Sequence, residues 1–307
     1  MEINLVSEKL RRLEISGRVK IVNGHSNLPL VKIRTPWSVA EIYLLGAHVT
    51  AFQKNGEPPL IFMSAKSFFA AGKPIRGGAP ICFPWFGNRD GEPSHGFARS
   101  TDWQLVKTSA AQDGAVTVTL ALPQIPGREA WKNLRTEFVV TVTDTLTMEL
   151  VATNESCGET LEVENCLHTY FQVGDISAVS LTGLQGAAFD DFAFGRGGAR
   201  ASAENTPLRI TQETNRVYPD NAATVEIIDE KLWRKIRVEK FNSKSTVVWN
   251  PWTTQKMPED FDSAEHRQMV CVESGNVKQN KILLAPGKSS ALKVVVSSTG
   301  FDFRQLA

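Results

Sequence analysis

Residues 145–153, TLTMELVAT, alternate strictly: Leu146, Met148, Leu150 and Ala152 fall on one side, Thr145, Thr147 and Glu149 on the other. A two-residue period of this kind predicts a half-buried antiparallel strand. Similar runs recur at 116–122 (VTVTLAL), 137–143 (EFVVTVT), 245–250 (STVVWN), 268–274 (QMVCVES) and 291–298 (ALKVVVSS), each bounded by Gly, Pro, Asn or Asp. Many strands with short polar breaks predict an all-β sandwich with few short helices. The helical pattern lies at 7–14, SEKLRRLE, where Ser7 is placed to cap an amphipathic turn or two.

Ionisable residues interrupt the alternation, and candidate chemistry is sought there. In 160–171, TLEVENCLHTYF, Leu161, Val163 and Leu167 point one way and Glu162, Glu164, Cys166, His168 and Tyr170 the other. His168 is expected on a polar sheet face with two acids and an aromatic, either as a satisfied structural histidine or as a working group. In 269–276, MVCVESGN, Met269, Cys271 and Glu273 share a face, and the Ser-Gly pair that follows reads as a turn. Glu273 is then either a solvated strand end or an acid aimed at a ligand.

Two further stretches carry arginine. SHGFAR, 94–99, sets His95 and Arg99 about a Gly-Phe pair, and IRGGAPICFPWFG, 75–87, adds Arg76. A guanidinium fork matches phosphate or carboxylate bidentately, whereas the plain alternative is a pair of surface salt bridges. Two prolines and a glycine pair argue against a buried strand over 75–87. A shaped surface is expected instead, with Gly77 and Gly78 letting backbone N–H groups approach an anion. Phe83, Trp85 and Phe86 would then offer apolar faces to a sugar, or else form an aromatic core corner.

Composition narrows the setting. A chain of 307 residues with 42% hydrophobic content and no Gly/Ser-rich or Pro-rich linker reads as one domain spanning 1–307. Thirty-four basic against 33 acidic residues leave a net charge of +1, which gives no footprint for nucleic acid or an anionic membrane. The first residues, MEINLVSEKLRRLEI, lack a basic n-region followed by an apolar run, so a cytoplasmic location is expected. Cys82, Cys157, Cys166 and Cys271 show no C-x-x-C pairing or zinc-site spacing, and are expected as reduced, packed thiols with no metal.

Taken in order, RGGAPICFPWFG, HGFAR, LHTYF, VVWNPW and CVESGNV resemble the hexose-6-phosphate mutarotases (glucose-6-phosphate 1-epimerases), a branch of the aldose 1-epimerase superfamily, over about residues 36–296. The resemblance implies a galactose-mutarotase-like β-sandwich, or supersandwich, with a sugar phosphate lying in a groove on one sheet face and no cofactor. It implies His168 and Glu273 as the catalytic pair, and Arg76, Arg99 and His95 as substrate-binding residues. Two positions depart from the pattern: Ser94 stands where relatives can carry glutamine before the HG pair, and ETN at 213–215 puts Asn215 where the family has a substrate-binding aspartate. Asn215 keeps one carbonyl acceptor and loses the charge, and Asp220 is a nearby candidate to replace it. The implied activity is interconversion of hexose 6-phosphate anomers by acid–base catalysis. Alternatives are an epimerase of unphosphorylated aldoses and a non-catalytic carbohydrate-binding or sugar-sensing sandwich; a paired-carboxylate hydrolase is weaker, since no second acid accompanies Glu273 in its motif. A monomer is the default expectation.

Overall fold

Every second residue from Leu146 to Asn154 is buried in the computed structural model, which describes residues 7–300. That strand is the sixth of a nine-stranded antiparallel sheet running Leu208–Arg209, Val179–Thr182, Val225–Asp229, Arg234–Phe241, Ser289–Gly300, Leu146–Asn154, Leu134–Val142, Val116–Ala121 and Gln104–Ala110. The predicted strands at 116–122, 137–143, 145–153 and 291–298 all fall in this sheet. Along Leu134–Val142 and Leu146–Asn154 the more exposed positions alternate with buried ones, as the period requires, whereas Asp229, Arg234 and Lys240 are charged residues buried on other strands of this sheet.

The runs predicted at 245–250 and 268–274 lie in a second, eight-stranded sheet. Its order is Ala199–Ala201, Phe189–Asp191, Thr214–Tyr218, Ser245–Asn250, Met269–Asn276, Asn165–Leu167 and Ile81–Cys82, with Tyr170–Gln172 also paired to Met269–Asn276. One face of this sheet sends Leu167, Phe171, Val248, Val270 and Val272 into a core shared with Phe138, Val140, Met148, Ile236 and Val294 of the nine-stranded sheet. The arrangement is a sandwich, and its opposite face holds the polar residues of interest. A four-stranded sheet of Val19–Asn23, Pro29–Arg34, Ser38–Tyr43 and His48–Lys54 adds to the same core, and Leu161–Val163 pairs with Ile282–Leu284.

One expectation holds and two change. The helical pattern at 7–14 forms the single turn Glu8–Arg11, with Ser7 as its cap accepting from the Leu10 N–H. Residues 160–171 do not form one strand: Leu161–Val163 pairs in a separate sheet, so Glu162 reaches outward to Lys281 at 2.7 Å. The glycine- and proline-rich stretch does contain a buried strand, Ile81–Cys82, because the Pro80 carbonyl is the group used there, accepting from the His168 N–H at 3.0 Å. A proline costs nothing where only its carbonyl is needed. Among the described residues, no helix is long and apolar enough to cross a membrane.

Candidate active site

His168 and Glu273 are brought together by strand register. Leu167 lies opposite Ser274 and Tyr170 lies opposite Cys271, so the register is unchanged across the short break between Asn165–Leu167 and Tyr170–Gln172. That places His168 directly across from Glu273, with both side chains on the face away from the shared core. His168 Nε2 sits 3.2 Å from Glu273 Oε1. The break arises because the His168 and Tyr170 N–H groups turn to the Pro80 and Gly78 carbonyls on the other side.

The same logic fills the rest of the face. Val247 and Val217 continue the row of Glu273, while Trp249 and Asn215 continue that of Cys271. Tyr170 stacks on His168 with ring centres 4.9 Å apart, and Trp249 and His95 meet it edge-on. Among the described residues, none forms a hydrogen bond with His168 Nδ1. Cys166 donates from Sγ to Glu273 Oε2 at 3.6 Å.

Glu273 is 1% exposed, so it is not the solvated strand end that its sequence context allowed. The Ser274-Gly275 pair is not a turn either, because the strand continues to Asn276. A Cβ on Gly275 would lie 2.3 Å from the Asn165 carbonyl oxygen, so glycine serves close strand approach there. Burial holds the Glu273 carboxyl well above the usual range, against the opposing pull of the Cys166 thiol and the Arg99 charge. Burial likewise holds His168 well below its ordinary value, aided by His95 and Arg99. The pair is therefore favoured with a single proton shared between two groups that both resist charge.

Arg76, Ser94, His95, Arg99, His168, Asn215 and Glu273 all line one groove of about 660 Å³. Arg76 donates from Nε to Asp260 Oδ1 at 3.2 Å and has Tyr170 as a second partner. Arg99 forms no ion pair among the described residues, and its Nη2 donates to the Ser94 carbonyl at 2.7 Å. Ser94 thus orients the guanidinium through its backbone. His95 is held in a left-handed conformation (φ 63°), accepts at Nδ1 from the Gly87 N–H, and is pushed down to about 3, chiefly by burial and then by Arg99 and Lys278. Asp220, by contrast, is exposed and does not line the groove.

The stretch at 75–87 contributes differently from the expectation. The Gly78 N–H donates to the Phe62 carbonyl at 2.7 Å, and a Cβ on Gly78 would meet His48 Nε2 at 2.1 Å; the glycine lets segments pack backbone to backbone and leaves no N–H for an anion. Phe83 is wholly buried in the main core, and Trp85 is buried beside Phe97 with its indole N–H on the Pro93 carbonyl. Of the three aromatics, Phe86 alone lines the groove. The Phe83–Pro84 peptide is cis.

Sequence reasoning missed Asp260, Lys278 and Phe192. Asp260 sits in the acidic run PEDFDSAE, which reads as a solvated loop. Lys278 directly follows the CVESGNV motif and lines the groove with Nζ over the Phe192 ring. Glu164, expected beside His168, instead accepts from the backbone N–H groups of Phe86 and Lys278, tying the two groove walls together. Among the described residues, no cluster of His, Cys, Asp or Glu is arranged to hold a metal ion.

Comparison with known proteins identifies the family and the fold. The family described as Aldose 1-epimerase matches residues 29–297. A candidate glucose-6-phosphate 1-epimerase of Cenchrus ciliaris is 31% identical over 270 residues, 84% of this chain and 81% of that protein. Its counterpart in Escherichia coli K12 is 32% identical over 257 residues, 83% of this chain and 85% of the other. The crystal structure of a candidate mutarotase from Salmonella typhimurium superposes with a TM-score of 0.85 at 27% identity, covering 95% of this chain and 98% of that one.

Proposed function

Because the chain belongs to the aldose 1-epimerase family, we propose that it interconverts the α and β anomers of a hexose 6-phosphate, with glucose 6-phosphate as the first substrate to test. The observation that carries this reading is the His168–Glu273 contact at 3.2 Å on the wall of a sugar-sized groove. Ring opening needs one proton removed from the C1 hydroxyl and one delivered to the ring oxygen. Glu273 as carboxylate takes the first and His168 as imidazolium supplies the second. The ring bond from C1 to oxygen breaks, the free aldehyde forms, rotation about C1–C2 exposes the other face, and closure runs with the roles reversed.

The singly protonated pair suits this cycle. Moving its proton across 3.2 Å interconverts the neutral form with the carboxylate–imidazolium form, without exchange with solvent. After ring opening Glu273 holds the proton and His168 has released one, so the total is conserved at every step. No metal or cofactor is invoked.

Phosphate recognition draws support from Arg99 and Lys278, two groove cations with no carboxylate partner among the described residues. Arg76 is matched by Asp260 and is better suited to a sugar hydroxyl, a use it would share with His95 and Asn215. The same Arg76–Asp260 pairing favours a second reading, an epimerase of unphosphorylated aldoses, since it removes one of the two arginines first assigned to the anion. Exchange NMR of the anomeric protons separates them. Fast exchange of glucose 6-phosphate, slower exchange of glucose and none with Glu273→Gln is the expected result; equal exchange of both sugars selects the second reading.

A further inference from the structure

Glu273 has two oxygens, and they are held differently. Oε1 faces His168 at 3.2 Å, whereas Oε2 accepts from the Cys166 thiol at 3.6 Å, within the range of a sulfur hydrogen bond. Cys166 is wholly buried on the neighbouring strand, opposite Gly275 and one step along from the row that pairs His168 with Glu273. The missing side chain at Gly275 matters, because a Cβ there would lie 2.9 Å from Cys166 Cβ and compete for its place.

We infer that Cys166 is a positioning residue for the epimerase reaction, its thiol engaging Glu273 Oε2 so that Oε1 is the oxygen that exchanges protons with His168 and the sugar. The inference rests on the functional reading above. Burial keeps the thiol well above its ordinary pKa, so it remains a donor throughout the working range. The charged and titratable groups acting on the contact are His168, Arg99, Cys82, Cys271 and Tyr170 around Glu273, and Lys240 behind Cys166. None of these replaces the thiol at Oε2 among the described residues. A thiol is a weak donor, which suits a carboxylate that must give its proton back: it steers the group without holding it ionised.

The test is an infrared pH titration of the Glu273 carboxyl, identified by its absence in Glu273→Gln, alongside anomer-exchange kinetics. Removing the donor in Cys166→Ala should raise the carboxyl midpoint by about one pH unit and lower kcat about tenfold, the range expected for one hydrogen bond to a charged group. Cys166→Ser should restore both. The Cys166 S–H stretch should also change in Glu273→Gln. An unshifted midpoint in Cys166→Ala, or a serine variant that behaves like the alanine one, overturns the inference and leaves Cys166 as packing. A wild type that exchanges no anomers while its carboxyl still responds to Cys166→Ala overturns the functional reading instead, with the contact intact.

Discussion

The two large sheets share one core and obey different rules. In the nine-stranded sheet, strands such as Leu134–Val142 and Leu146–Asn154 bury every second residue and leave the others to water. In the eight-stranded sheet, Ser245–Asn250 and Met269–Asn276 are buried at every position, because the segments bearing Arg76, His95 and Arg99 cover the face that would otherwise be wet. The outward-facing polar residues of the first sheet, such as Thr147 and Glu149, are partly solvated and replaceable. On the second a polar residue is desolvated and needs a partner, so His168, Glu273 and Cys166 form a connected set.

Substitution should therefore divide cleanly between activity and stability. The largest effect is expected from Glu273→Gln, which removes the proposed proton acceptor and should lower kcat roughly 10²- to 10⁴-fold. Its melting temperature should hold or rise, since a buried carboxyl that resists ionisation is replaced by an amide of the same shape. A large drop in melting temperature would break the contrast between the sheets. Phe138→Ala is the mirror case: a wholly buried ring of the nine-stranded sheet is lost, at about 3–5 kcal/mol in urea denaturation. KM and kcat of the folded fraction should not change, and a changed KM would show that the core reaches the groove.

Smaller effects sharpen the division within the groove. Lys278→Ala should cut kcat/KM about tenfold for glucose 6-phosphate and leave glucose untouched, as expected for one contact to a charged phosphate. Equal losses on both sugars would remove Lys278 from the anion end. At any single step pH should act most gently. His48 is lowered to about 4 and His95 to about 3, each mainly by burial, and His168 is lowered as well. Unfolded histidines take up protons below about 6.5 that these folded ones refuse, so the stability they confer is complete above that pH and is lost as pH falls toward 4 and then 3. None of the three lies in the nine-stranded sheet. Hydrogen exchange should therefore show protection failing first in the site sheet on acidification, and uniform failure would argue that the layers open together.

The contrast also explains what could be read from the chain. Alternation exposes a half-solvated strand, so the four segments of the nine-stranded sheet were legible from periodicity alone. The faces of Met269, Cys271 and Glu273 were legible for the same reason. The His168–Glu273 meeting was not, because it depends on which residue of one strand lies opposite which residue of another, and neither strand states its register. The break after Leu167 was hidden too, since it is caused by the Gly78 and Pro80 carbonyls of a remote segment. Ser274-Gly275 misled because a glycine needed for strand approach looks the same as one needed for a turn. Asp260 and Lys278 carry no local mark, since only folding brings an acidic loop and a residue past a strand end to the same wall.

An acid and a base joined by register are indifferent to the length of chain between them. Codons gained or lost in the turns that connect Tyr170–Gln172 to Met269–Asn276 leave the pair facing each other. One codon inserted between Asn165 and Tyr170, or within Met269–Asn276, would send one partner to the opposite side of the sheet. The gene thus has long stretches in which its length can drift, and two short ones in which it cannot.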